Sequence, residues 1–70
     1  MSEIIFQVTE DESDGGFIAR ALGFSIVTDA DTWEQLRINV REAVLCHFEP
    51  GKTPAVIRLH RVVDELIPLA

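Results

Sequence analysis

Cys46, His47, His60 and a run of carboxylates are the side chains of this sequence whose types could do chemistry. A cysteine beside a histidine suggests a thiolate nucleophile with its base. Consecutive residues of a helix point apart, however, so Cys46 and His47 do not form such a pair. His47 falls on the core-facing stripe of a helix. There it could serve as a base or a ligand, but such a histidine is more ordinarily a core residue hydrogen-bonded to a carbonyl. His60 falls on the strand face opposite Ile57 and Leu59 and is expected to be half exposed. No spacing argument brings the two histidines together.

The acids Glu10, Asp11, Glu12 and Asp14 invite a calcium reading. An EF-hand loop needs D-x-[DN]-x-[DN]-G with a closing glutamate, held between two helices. This segment lacks that pattern and joins two strands, so a solvated acidic hairpin is the plainer reading. Gly15-Gly16 stands outside the GxGxxG and GxxxxGK[ST] contexts of phosphate-binding loops. No CxxC pair or His-rich tract is present, and a structural zinc is not expected. No catalytic residue, metal or cofactor is therefore assigned, and the chain is expected not to be an enzyme. Trp33 opens a helix, where it could anchor a partner or cover the edge of a sheet.

The elements that position these residues follow from periodicity. EIIFQVTE (3–10) alternates, with Ile4, Phe6 and Val8 facing one way, as a strand requires. DESDGG (11–16) is a polar hairpin loop. GFIARAL (16–22) is the return strand, with Phe17, Ala19 and Ala21 on one face. Gly23 marks a turn or bulge, and FSIVTD (24–29) is a third strand with Phe24, Ile26 and Thr28 together. Thr32-Trp33-Glu34-Gln35 fits a capping box, predicting a helix to about Phe48. Asp31 is an alternative cap. Pro50 and Gly51 stop the helix. AVIRLHRVV (55–63) is a fourth strand, with Ile57, Leu59 and Arg61 opposite Val56, Arg58, His60 and Val62. At 100° per residue Leu36, Val40, Ala43 and His47 form a central helix stripe flanked by Trp33 and Val44, and this side packs on the sheet. Ile38 and Leu45 lie on the opposite side. The fold class expected is α+β, a two-layer β-β-β-α-β domain spanning residues 1–70.

Size and charge bound the rest. Seventy residues make a small core, and chains of this size compensate with disulfides, metals or oligomerisation. A single cysteine allows no internal disulfide, so a homo-oligomer is expected, with Ile38 and Leu45 as its candidate interface. The start MSEIIFQ lacks the pattern of a signal peptide. No apolar stretch reaches the ~20 residues of a membrane span. A cytoplasmic protein is expected, consistent with a lone thiol. The net charge is −6, and residues 1–34 hold eight acids against Arg20 alone. Such a surface disfavours direct nucleic-acid binding and suits a basic protein.

The ordered segments "SDGGFIARALGFSIVTDADTWEQLRINVREAVLCHF" resemble the N-terminal domain of the HicB antitoxin family, with its DGG hairpin and T-x-E-Q helix start. The resemblance covers residues 3 to about 48, and the last strand by position. It implies a partial RNase H-like fold with a mixed sheet in the order 3-2-1-4, the fourth strand parallel to the first. A right-handed crossover through the helix fits that order. It also implies binding and masking of a small basic RNA-cleaving toxin, HicA. The family's separate DNA-binding domain lies outside these 70 residues, so operator binding is not carried over. The family's "PGC" turn is replaced by Leu22-Gly23-Phe24. Phe6-Gln7-Val8 stands where a nuclease would need a metal-binding carboxylate.

The function expected is that of a non-catalytic interaction module resembling an orphan HicB-like antitoxin. Glu10, Asp11, Glu12, Asp14 and Trp33 are the candidate partner-binding residues. The alternative is a self-assembling structural or regulatory homo-oligomer with no toxin partner.

Overall fold

The computed structural model describes residues 2–11, 13 and 15–70. Among them the elements run β1 (Glu3–Glu10), β2 (Phe17–Ala21), β3 (Val27–Ala30), α1 (Trp33–His47) and β4 (Val56–Arg61). The sheet order is β3-β2-β1-β4. β1 pairs antiparallel with β2, β2 antiparallel with β3, and β4 runs parallel to β1. A parallel neighbour cannot be reached by a tight turn, so α1 carries the chain across one face of the sheet. The result is an α+β fold, one helix on a four-stranded mixed sheet.

Alternation in β1 decides which face is covered. Ile4, Phe6 and Val8 are almost wholly buried, while Gln7 is exposed. They meet Ala19 of β2, Ile26 at the entry to β3, and Leu36, Val40 and Val44 of α1 in one core. Each of the larger side chains contributes about 1.5–3 kcal/mol by leaving water.

Two glycines shape the sheet by different means. A Cβ on Gly16 would lie 2.6 Å from the Ala30 carbonyl oxygen, so the approach of β2 to the end of β3 requires glycine there. Gly23 has φ +84°, which glycine adopts freely. The turn it makes is closed by the Ala21 N–H donating to the Ile26 carbonyl at 2.9 Å. This turn consumes the residues expected to begin the third strand, so β3 starts at Val27 rather than residue 24. Phe24 consequently leaves the strand face where the sequence places it. It is 43% exposed and its ring meets Phe48 at 5.1 Å and His47 at 6.1 Å.

The helix starts as expected, with Thr32 Oγ1 accepting from the Gln35 N–H at 3.1 Å. The reciprocal half of the capping box is absent. Gln35 Nε2 donates instead to Asn39 Oδ1 at 2.8 Å, and Asn39 Nδ2 donates to the Asp29 carbonyl at 2.9 Å. Asn39 lies one turn on, so this relay ties the helix to the end of β3 rather than to its own cap. The buried stripe is Leu36, Val40 and Val44. His47 corrects the expectation of a core position. It shares the stripe's direction but belongs to the last turn, where it is exposed against the Phe48 ring at 5.0 Å. The Phe48 N–H closes the helix on the Val44 carbonyl at 3.2 Å, and Gly51, with φ +85°, turns the chain toward β4.

Candidate protein-binding surface

β1 and β4 end, β2 begins and α1 begins at one end of the sheet, and the fold gathers charge there. Glu10 pairs with Phe17, and Phe17 with Ala30. The close approach of Gly16 to Ala30 and Asp31 joins the hairpin base to the helix entry. Glu10 and Asp11 of the hairpin thereby lie at the same end of the sheet as Asp31 and Glu34, both exposed. Acids that are far apart in sequence thus share one pole.

At the centre of that pole stands an aromatic pair. Trp33, in the first turn of α1, meets Phe17 of β2 edge-to-face with centroids 5.5 Å apart. Both rings are half-buried. The Arg61 guanidinium lies 5.2 Å from the Phe17 centroid and 5.5 Å from that of Trp33. Its Nη2 donates to Glu10 Oε1 at 2.7 Å. Glu10 and Arg61 are here because each continues the covered face of its strand, Glu10 after Val8 and Arg61 after Leu59. A cation over aromatic faces contributes about 0.5–1 kcal/mol at an exposed site.

The expected partner-binding residues are therefore only partly brought together. Glu10 and Trp33 join through Arg61, while Glu10 already holds a cation within its own chain. Asp11 faces into the hairpin, where Oδ1 accepts from the Ser13 N–H at 3.1 Å and the Ser13 hydroxyl at 2.7 Å. The Asp11 N–H donates to the Gly16 carbonyl at 2.7 Å, and the Gly15 N–H donates to the Asp11 carbonyl at 2.8 Å. Glu12 and Asp14 lie outside the described residues. Arg61 and Phe17 were not among the expected site residues. The available signal was an arginine on the Ile57–Leu59 face and a phenylalanine on the same strand face as Ala19 and Ala21.

Two further surfaces are open. Ile38 and Leu45 stand on the outer side of α1, 50% and 51% exposed. Ile38 sits in a shallow hollow with Glu34, Arg37 and Arg41. Leu45 borders a groove of about 380 Å³ between α1 and β4, floored by Val40, Val44, Ile57 and Leu59 and edged by Arg37 and Arg41. The groove exists because α1 lies mainly over β2 and β3, leaving Ile57 and Leu59 half-buried. The sheet's other face has no covering layer among the described residues. It carries half-buried Ile5 and Ile18, with Val27 at 59% and Val56 at 42% exposure.

On that uncovered face Arg58 Nε donates to Glu3 Oε1 at 2.5 Å and Nη2 to Oε2 at 3.3 Å. The hydrogen bonds and charge of Arg58 hold the Glu3 carboxyl below its ordinary range. His60 is exposed on the same face, across the sheet from α1 and His47. Cys46 is an exposed free thiol. Among the described residues, no group of three or more His, Cys, Asp and Glu is placed to hold a metal ion, and no helix is long and apolar enough to cross a membrane.

No family model and no solved structure matches the chain. Two relatives do. A UPF0150 protein of Archaeoglobus fulgidus is 51% identical over 51 residues, covering 73% of this chain and 74% of its own. A UPF0150 protein of Thermotoga maritima is 42% identical over 65 residues, covering 93% of this chain and 90% of its own. At that identity and coverage, the chain belongs to the UPF0150 family.

Proposed function

We propose that this protein is a non-catalytic interaction module, a HicB-like antitoxin acting in the cytoplasm, which masks a small basic RNA-cleaving protein of the HicA kind. The observation that carries the reading is the half-buried Phe17–Trp33 pair at the end of the sheet where Glu10, Asp11, Asp31 and Glu34 also lie. Interfaces combine an aromatic centre with polar surroundings. Carboxylates set association rate and partner choice more than final affinity. Glu12 and Asp14 add to the negative charge of residues 1–34 in the sequence. The element order and the parallel β4 also agree with the partial RNase H-like fold that a HicB-like domain implies.

The test is capture of the tagged protein with its bound partners at low salt, followed by an RNase assay on what is released. A small basic protein whose RNase activity is suppressed stoichiometrically by adding this chain back would support the proposal. Asp31→Lys with Glu34→Lys should weaken that suppression at least tenfold. A released partner with no RNase activity would overturn the antitoxin reading.

A second reading, self-assembly without a toxin, draws on a different observation: the apolar groove beside Leu45 and the exposed apolar residues after β4. A native mass above that of one chain, with no other protein bound, would favour it.

A further inference from the structure

The chain continues past β4 beside Thr9 and Glu10 as far as Asp64, and residues 65–70 are exposed. The Val62 N–H donates to the Val8 carbonyl at 2.8 Å. Beyond it Val63, Leu66, Ile67 and Leu69 are 69%, 94%, 74% and 100% exposed. The molecule is accordingly 55 Å long but only 22 Å and 19 Å in its other dimensions. An extended apolar segment held in water is unfavourable unless something covers it.

β4 is an edge strand, and an unpaired edge is a template for another strand. Its inward donors are even-numbered, since the Val56 and Val62 N–H groups donate to Ser2 and Val8 of β1's side. The N–H and C=O groups of Ile57, Leu59 and Arg61 therefore face outward. The side chains of Ile57 and Leu59 face the groove under α1.

We propose that residues 65–69 of a second copy pair antiparallel with this outer edge, reciprocally, across a two-fold axis at Val63. This deepens the self-assembly reading and rests on it. A two-fold contact must be self-complementary, and one register satisfies that demand along its whole length. Arg61 lies opposite Glu65 of the second copy, Leu59 opposite its Ile67, and Ile57 opposite its Leu69. The Arg61 guanidinium has five donors, and its bond to Glu10 uses one of them. Ile67 and Leu69 of the second copy enter the groove floored by Leu59 and Ile57. Pro68, which has no N–H to give, falls where the strand needs none, as proline in an edge strand must. Sliding the register by two residues one way sets Glu65 on Leu59. The other way sets Ile67 on Arg61. A slide by one turns Ile67 and Leu69 away from the groove and puts Pro68, which has no N–H, where the strand needs a donor. Adding a strand to a free edge in this way uses main-chain hydrogen bonds for affinity and alternate side-chain pockets for specificity.

The test uses the full chain, its native mass, and cysteine variants in a Cys46→Ser background. The wild-type chain should be dimeric. Ile67→Asp should weaken dimerisation at least tenfold, because residue 67 faces the groove. Leu66→Asp should change it by less than about twofold, because residue 66 faces the sheet's open side. Both sites are exposed in the single chain, so neither change disturbs its core. Val63→Cys should cross-link to itself with a short bis-maleimide. Ala70→Cys should not, since two copies of residue 70 would stand on the order of 45 Å apart along the paired strands. A dimer indifferent to Ile67→Asp, or one not linked through residue 63, would overturn the tail pairing and leave self-assembly standing. A monomeric wild-type chain would overturn both.

Discussion

Gly15 and Gly16 are adjacent, yet alanine should cost more at Gly16 than at Gly15. A Cβ at Gly16 would sit 2.6 Å from the Ala30 carbonyl oxygen and 3.3 Å from the Asp31 Cα, both backbone atoms with little room to move. Relief requires β2 and the end of β3 to separate where Phe17 pairs with Ala30. Overpacking of this kind costs about 1–3 kcal/mol, and a weakened ladder hydrogen bond adds about 0.5–1.5 kcal/mol. Gly15 has φ +74° and open space around its Cβ position, so alanine there meets only the left-handed backbone penalty of about 1–2 kcal/mol. A chain of this length has roughly 4–10 kcal/mol of total stability. Gly16→Ala should therefore lower the melting temperature by about 10 °C or more, and Gly15→Ala by less. The assay is thermal and urea unfolding followed through Trp33, whose ring packs on Phe17 close to the change. Chain concentration is held equal, because any self-association adds to apparent stability. A Gly16→Ala protein within about 0.5 kcal/mol of wild type, the usual range of neutral surface changes, would refute the argument. So would a reversed order of the two variants.

Leu36→Ala should lose about 2–5 kcal/mol in urea unfolding, since Leu36 is fully buried at the centre of the helix stripe; a loss below 1 kcal/mol would contradict the packing. Thr32→Ala should lose about 1 kcal/mol by removing the acceptor for the Gln35 N–H, measured by thermal unfolding with helix circular dichroism. Glu3 should titrate below the ordinary 4.5 in a carboxyl-detected NMR titration, because Arg58 hydrogen-bonds its charged form. The stability from that depressed value is present above pH 4.5 and is lost as pH falls through the folded-state value, and Arg58→Ala should return Glu3 to its ordinary titration.

Much of the fold could be read from the residues, because strand and helix periodicity are local signals. Ile4, Phe6 and Val8 declare the covered face of β1, and Thr32 declares the helix start. The sheet order was a different matter. No local pattern states which strand lies beside which; the order β3-β2-β1-β4, which the structure has, follows only from the family resemblance. The candidate site was less legible for the same reason. Glu10 reads as one of a run of acids at the end of a strand, and it is the last residue of β1 on the covered face. Its partner Arg61 is fifty-one residues away in sequence. Only the parallel register of β1 and β4 joins them, and only the hairpin's approach to Asp31 adds the helix-entry acids. Gln35 and His47 show the limit of helix templates. A side chain offered two partners chose Asn39 over the cap, and a stripe position at the helix end found aromatic rings rather than the core.

The central claim is that the pole holding the aromatic pair and these acids recognises a basic protein. The most direct measurement is native mass spectrometry of the tagged chain captured at low and at high salt, alongside the Asp31→Lys, Glu34→Lys variant. A stoichiometric small basic protein is predicted at low salt, released as salt rises and absent from the variant. A chain that carries no such protein at any salt, or carries it equally well after charge reversal at the pole, would contradict the account.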